Sequence, residues 1–249
     1  MSEKVPKILS QKPEEFFTEL LGGVEAPSVL DVACGLGGFT SMLQASLKGF
    51  GTITGIDVRE EVIAKAKEKN PEEALRFEVM VAMELDFPDA TFDLVSCAFS
   101  LHHLPDPTAT LAEMRRVLKP GGYLVIVEMY RDHLTEPQQT ESIVHHWAAE
   151  IDTALGVLHR ETYTRDHILQ IIQPESWQNP QIFDLAGIDF DPKGEDIMEM
   201  MLKTIVRVLE KAKPLPNYQE HQTKALILGE RVANVGTHIS TRLIFMAQK

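Results

Sequence analysis

The sequence predicts an α/β fold built on a doubly wound, mostly parallel sheet of seven strands. Two observations predict it. Over residues 28–129, short β-branched-rich apolar runs alternate with amphipathic helical periods, the signature of strand–helix–strand units. The runs are also nearly continuous in apolar character, as strands buried on both faces must be. At 249 residues the chain suits one α/β domain with elaborations, here residues 1–249 with a core over 25–130 and insertions over 131–236. Hydrophobic residues are 44% and charged residues 24% of the chain, which excludes disorder as a whole-chain state. The 24 Lys and Arg against 37 Asp and Glu give a net charge of −13, a field that repels phosphate backbones and anionic lipid heads. Nucleic acid and stable membrane association are therefore not expected. Two cysteines, Cys34 and Cys97, are too few for a disulfide framework or a four-thiolate zinc site, and no metal is expected. The amino-terminal stretch shows no apolar core of signal-peptide length, so a cytoplasmic chain is expected.

The strands are read at SVLDV (28–32), GTITGID (51–57), LRFEV (75–79), FDLVSCA (92–98) and YLVIVEM (123–129). Between them, Phe39, Met42, Leu43 and Leu47 share a helical face ended by Gly49, and Val62, Ile63 and Ala66 lead to a stop at Asn70-Pro71. Asp106-Pro107 reads as an N-cap with proline in the first turn, followed by the stripe Leu111, Met114 and Leu118. After residue 130 the pattern turns helical over 137–155 and 164–172, strand-like over Gln181–Phe190, and helical again with Met198, Met201, Leu202, Ile205 and Leu209 on one face. A break at Pro214 and Pro216, another helix to about Val235 and a last strand over 237–247 complete the chain. Segments 135–173 and 194–235 are expected to form a helical lid over the ligand edge of the sheet. His145 or His146, Trp147 and the Met198–Met201 face are expected near an acceptor pocket beneath it.

The strongest local signal is VLDVACGLGGFT, a strand ending in Asp31, a loop with Gly35, Gly37 and Gly38, then a helix. A loop without side chains lets backbone N–H groups and a helix N-terminus approach a ligand at the carboxyl edge of the sheet. As a dinucleotide fingerprint it is imperfect, because Thr40 stands where the third glycine would fall. Asp31 would repel a pyrophosphate and suits a cationic, phosphate-free ligand, favouring a sulfonium cofactor over NAD. Asp57 ends the next strand, where a carboxylate can accept hydrogen bonds from the vicinal hydroxyls of a ribose; capping of the following helix is its alternative role.

Together with FPDATFDLV (87–95), LHHLPDP (101–107) and LAEMRRVLKPGGYLVIVE (111–128), these residues resemble the class I S-adenosylmethionine-dependent methyltransferases. Within them they resemble the small-molecule branch that includes the ubiquinone/menaquinone-biosynthesis enzymes. The resemblance spans residues 25–130. It implies a Rossmann-like methyltransferase fold with an antiparallel last strand, S-adenosyl-L-methionine as cofactor and a small-molecule acceptor; a homodimer is left open. It puts Ala33, Cys34, Gly35 and Gly37 against the methionine and ribose parts of the cofactor, Asp31 on the loop and the ammonium group, and Asp57 on the ribose. Val58, Ala82 and Met83 fall beside the adenine, and Ala98, Phe99 and Ser100 beside the reacting methyl.

The chain departs from the family pattern at two positions. Ala33 replaces a glycine, and Val81 stands where an aspartate usually accepts from the adenine amino group, leaving the backbone near Ala82, packing by Met83 and Val58, or Glu84 to read the base. The absence of a [DN]-P-P-[YFW] tetrapeptide and of a Pro-Cys pair argues against methylation of nucleobases. No catalytic residue is assigned. His102, His103, His145 and His146 are the candidate bases, with a packed turn the leading role for the first pair. Methyl transfer to a small apolar or aromatic acceptor at O, N or C is the expected activity, and a cofactor-binding protein without transferase activity the alternative.

Overall fold

The computed structural model describes residues 8–187 and 189–249. Residues 1–7, which open the amino-terminal stretch discussed above, and Ile188, inside the run expected as the sixth strand, lie outside the described residues. The chain divides into two compact units. Residues 11–128, 166–183 and 243–249 form an α/β unit, and residues 8–10, 129–165, 184–187 and 189–242 form a mainly helical one.

The elements follow in the order β1 (Ile8–Leu9), α1 (Pro13–Leu21), β2 (Glu25–Val32), α2 (Gly38–Ser46), β3 (Gly49–Asp57), α3 (Glu60–Lys69), β4 (Leu75–Val79), β5 (Phe92–Ala98), α4 (Pro107–Val117) and β6 (Leu118–Met129). After them come α5 (Glu136–Ala154), α6 (Arg165–Ile172), β7 (Gln178–Leu185), α7 (Glu195–Lys211), α8 (Tyr218–Val235) and β8 (Arg242–Gln248). The strands lie in the order β1-β7-β8-β6-β5-β2-β3-β4, one more than the seven expected. β2 pairs parallel with β3 and β5, β3 with β4, and β5 with β6. The chain therefore builds outward from β2 through β3 to β4, then returns to the other side of β2 for β5 and β6. At such a reversal two neighbouring loops leave the carboxyl edge in opposite directions and open a crevice between them. Lys249 exchanges backbone bonds of 3.0 Å with Gly121 and Gly122 near the start of β6, so β8 ends where β6 begins and runs antiparallel to it, as expected.

The core strands form because their side chains are apolar on both faces: Val29, Leu30 and Val32 of β2, Leu94 and Val95 of β5, and Leu124 to Val127 of β6 are all buried. Gly55 in β3 permits close packing, since a Cβ there would come within 2.8 Å of the Cys34 Sγ and 2.9 Å of the Phe77 ring. Helix α4 begins as read, with Pro107 in its first turn and the Asp106 carboxylate accepting from the Ala109 N–H at 2.9 Å.

In the helical unit, Val144, Trp147 and Ile151 of α5 pack with Met201, Ile205 and Val208 of α7 and with Ala225, Leu228 and Val232 of α8. Trp147 and the methionines Met198 and Met201 are thus packed within the helical unit. The Trp147 indole donates to His221 Nδ1 at 3.0 Å, and Trp147 and Met201 are buried among these helices while Met200 is exposed.

Two strand expectations are also corrected. The sixth strand ends at Leu185 rather than Phe190, and the last begins at Arg242 rather than 237. Residues 237–241 form no strand: Thr237 N donates to Pro192 O and Thr241 O accepts from Tyr130 N, while the backbone between them is taken up by the start of α5. The Pro137 carbonyl accepts from His238 N at 3.0 Å, the Gln138 side chain donates to Ile239 O at 3.1 Å, and the Glu141 carboxylate accepts from Ser240 N. Among the described residues, no helix is long and apolar enough to cross a membrane.

Candidate active site

The crevice at the reversal of the sheet is walled by the loop after β2 and the loop after β5. Asp31 anchors it. The register pairs Asp31 with Ser96 of β5, and the Ser96 hydroxyl donates to one carboxylate oxygen of Asp31 at 2.8 Å while Thr40 of α2 donates to the other at 2.7 Å. Asp31 is buried. Burial pushes its carboxyl from 3.8 up to about 6, against the two hydroxyl bonds, which pull the other way. Both oxygens are engaged within the protein, so the part of its expected role visible in the structure is that of holding the glycine loop in place.

The loop itself turns through left-handed backbone. Gly35 and Gly37 have φ of 56° and 81°. A Cβ on Gly37 would strike Asn70 and Phe77 within 3 Å, whereas one on Gly35 would meet nothing within 4 Å and would project into the open crevice. Ala33, in place of the family's glycine, adopts φ 55°, a conformation that costs an alanine roughly 1–2 kcal/mol. Phe99, on the facing loop, has φ 53°. The Ser100 hydroxyl, next to Phe99, lies within 3.2 Å of Ala33 O and 2.9 Å of Ala98 O and so links the two loops. Backbone strain held in place by its surroundings is concentrated at functional sites, and here it falls on two of the residues assigned to the cofactor.

Asp57 ends β3 beside this loop. One of its oxygens accepts from the backbone N–H and the Nε of Arg59 at 3.0 and 3.1 Å. The other accepts from Gly35 N at 3.2 Å and from the Arg59 guanidinium at 3.3 Å. The sequence reading divided Asp57 between ribose binding and helix capping. Arg59 is itself the residue that caps α3, and no side chain caps that helix, so the Asp57 bond to the Arg59 N–H is a local turn bond rather than the capping expected; the Gly35 bond aims the same carboxylate at the glycine loop. Val58 follows directly, Ala82 and Met83 lie in the turn after β4, and Ala98 ends β5, so every cofactor residue expected from the sequence lies at the carboxyl edge of the α/β unit.

The histidine candidates divide between the units. His102 is buried with its Nδ1 3.2 Å from the carboxylate of Glu128, which also accepts from Leu101 N at 2.8 Å. The LHHL turn is thus packed on a buried acid at the end of β6. On α5, His146 Nε2 lies 2.9 Å from the Thr162 hydroxyl and accepts from its N–H. His145 lies 3.2 Å from His159, and the His159 ring in turn meets Asp152 at 2.9 Å. Burial opposes the charge of Asp152, but the bonds from His159 and Lys211 outweigh it and hold its carboxyl at about 2.

Sequence reasoning missed four positioning residues: Thr40, Ser96, Asn70 and Glu128. Asn70, read only as a helix stop, donates to Leu36 O at 3.2 Å and accepts from the Ser41 hydroxyl at 2.9 Å, bracing the glycine loop from outside. A short polar residue at the end of an apolar period was the signal available for it.

Residues 30–126 match the family described as Methyltransferase domain. Over 144 residues the chain is 35% identical to the demethylmenaquinone methyltransferase of Staphylococcus aureus (strain MRSA252), covering 57% of this chain and 60% of that protein. The match therefore spans less than two thirds of the relative's length. The S-adenosylmethionine-dependent methyltransferase of Mesorhizobium loti superposes with a TM-score of 0.57 at 16% identity, over 96% of this chain and 98% of that one. The fold is that of the S-adenosylmethionine-dependent methyltransferases. The [4+2]-cyclase SpnF shares it, with a TM-score of 0.61 at 17% identity over 95% of this chain and 79% of that one. The architecture therefore does not by itself name the reaction.

The raised carboxyl of Asp31 makes a pH prediction. The stability tied to a raised group is complete below its ordinary value of 3.8 and is lost as pH rises through about 6. Asp31→Asn escapes that loss. Its stability relative to the parent should grow by ~2–3 kcal/mol between about pH 4.5 and about pH 7.5 in urea unfolding; a gap independent of pH would show that Asp31 does not titrate in this window.

Proposed function

We propose that the chain is an S-adenosyl-L-methionine-dependent methyltransferase acting on a small apolar or aromatic acceptor. The demethylmenaquinone ring named for the Staphylococcus relative, in its reduced form, is the first candidate. The observation that carries the reading is the pairing of Asp57 with Gly35 N at the edge of the crevice, which sets a diol-binding carboxylate beside a side-chain-free approach to backbone donors. In that reading Asp57 holds the ribose, the loop from Ala33 to Gly37 lies along the methionine part, and Ala98 and Phe99 flank the reacting methyl. The bound cofactor would supply an activated methyl on a sulfonium. Displacement there disperses charge rather than creating it, so orientation and exclusion of water can provide most of the acceleration; the proton that the acceptor gives up as the methyl arrives passes to a base, for which His102, His103, His145 and His146 remain the candidates. A cytoplasmic setting suits two buried free thiols and belongs to the same proposal, as does a homodimer as the form in which a partner subunit is admitted.

The alternative, a cofactor-binding protein without transfer, rests on Val81. The experiment that separates the two is incubation of the purified chain with S-adenosylmethionine and a short-tailed demethylmenaquinol, read by mass spectrometry. Equal formation of methylated quinol and S-adenosylhomocysteine is expected; retained cofactor without turnover on this or on simple phenolic acceptors would favour the alternative.

Asp57 and Arg59 give a paired prediction. Asp57→Ala should weaken cofactor binding by about 1.5–3 kcal/mol, the cost of losing hydrogen bonds to a charged acceptor. Arg59→Ala should tighten it by up to about 1 kcal/mol, the scale of a half-exposed ion pair, because the guanidinium occupies oxygens the ribose needs. Calorimetry decides, and weaker binding in the arginine variant would overturn the competition.

The acceptor is assigned to segments 135–173 and 194–235, which the chain inserts between β6 and β8. Hydrogen exchange in these segments should slow when S-adenosylhomocysteine and an acceptor analogue are added together, as for elements from the low-stability end of a fold; exchange as slow as that of the central strands, and unresponsive to ligand, would remove the assignment.

A further inference from the structure

Helix α5 carries His145 and Asp152 seven residues apart, a spacing that sets both on one face about 10 Å apart along the axis. The chain then leaves the helix, turns at Gly156 and brings His159 back to that face. Val157 N donates to Asp152 O at 2.8 Å and the Thr153 hydroxyl donates to His159 O at 2.9 Å, which pins the return. The buried His159 ring bridges the two side chains of the helix. Its Nδ1 lies 2.9 Å from Asp152 Oδ2 and its Nε2 lies 3.2 Å from His145 Nε2.

Proton counting fixes what this row can do. Asp152 is a carboxylate, kept so by the bonds from His159 and from Lys211 of α7, so it accepts and His159 Nδ1 donates. In a neutral His159 the accepting nitrogen is then Nε2, the Nε2 of His145 donates to it, and the lone pair of a neutral His145 falls on Nδ1. A proton that arrives at that Nδ1 breaks none of these bonds, and its charge is drawn toward the Asp152 carboxylate. The other histidines are placed differently. His146 Nε2 accepts from the Thr162 N–H at 3.3 Å, which commits its lone pair to the backbone, and His102 is fully buried in its turn whereas His145 is half-buried.

We infer that Asp152 and His159 are positioning residues that hold His145 as the base of the reaction, its Nδ1 taking the proton the acceptor gives up. The inference rests on the function proposed above and gives roles to two residues outside the four candidate bases. All three residues lie in segment 135–173, to which the acceptor is assigned. In the step, the acceptor bonds the methyl carbon with its own electron pair as the carbon–sulfur bond breaks toward sulfur. The proton it releases passes to His145 and from there to water, which leaves the relay as it began.

The test has two arms, both on the full chain. Nitrogen NMR of the histidine rings, at a pH above their ordinary titration range, reads the tautomers without substrate. His145 should carry its proton on Nε2. In Asp152→Asn, Lys211 keeps the amide oxygen and the amide nitrogen turns its hydrogens to His159 Nδ1, so the proton of each ring changes sides and His145 should carry it on Nδ1. The second arm is single-turnover methyl transfer to the short-tailed demethylmenaquinol. His145→Gln should slow it by about a hundredfold or more, the scale of general-base catalysis, and Asp152→Asn by about tenfold or more through the wrong tautomer. Both variants should bind S-adenosylhomocysteine as the parent does, which also reports their folding. A proton on Nδ1 of His145 in the unaltered chain, or a tautomer that Asp152→Asn leaves unmoved, overturns the relay. Transfer by His145→Gln within about threefold of the parent overturns the base. An unaltered chain that methylates neither the quinol nor a simple phenol removes the function proposed above and the base with it, while the NMR arm still decides the relay.

Discussion

Two hydroxyls hold a buried carboxylate where the sheet reverses direction, and the crevice is built outward from that contact. Asp31 joins three elements at once: it ends β2, takes Ser96 from β5 and takes Thr40 from the first turn of α2. An unpaired carboxylate at that depth would cost several kcal/mol, so either hydroxyl removed alone leaves a charge poorly compensated. The glycine loop between Asp31 and Thr40 is thereby tethered at both ends. This is why its backbone can persist in left-handed conformations at Ala33, Gly35 and Gly37. The same fixation reaches the facing loop through Ser100, whose hydroxyl lies within hydrogen-bond distance of Ala33 O and Ala98 O.

What the sequence made legible followed from what periodicity can detect. Central parallel strands announce themselves by continuous apolar character, and all five over residues 28–129 lie within strands of the structure. The glycine loop and the strand-ending aspartates were legible because their chemistry is local. The errors fell where the outcome depends on which distant group takes a backbone hydrogen bond. Residues 237–241 have the composition of a strand, but Pro192, Tyr130 and the start of α5 claim their donors and acceptors before a neighbouring strand can. The two-residue strand Ile8–Leu9, held by pairing with Asp184 and Leu185, is too short for any period. Glu128 reads in sequence as the polar end of a strand, and only the fold brings the Leu101 N–H and His102 to it. Trp147 and Met201 show the converse limit, since an apolar helix face does not declare whether it packs on its own neighbours or on a ligand.

On the proposed ribose assignment, the arrangement around Asp57 also explains how a carboxylate meant for a neutral diol can be tolerated before the diol arrives. Asp57 is almost fully buried, and a bare charge there would carry a desolvation cost that ligand binding would merely relieve. The backbone N–H groups of Gly35 and Arg59 are rigid and serve both states. The Arg59 side chain is half exposed and can leave for water at the cost of a weak ion pair. Exchange of a guanidinium for two hydroxyls keeps the number of hydrogen bonds to the carboxylate nearly constant, so neither state strands a buried charge. Affinity then depends on the parts of the ligand that displace no equivalent partner, among them the segment that would follow the open face of Gly35.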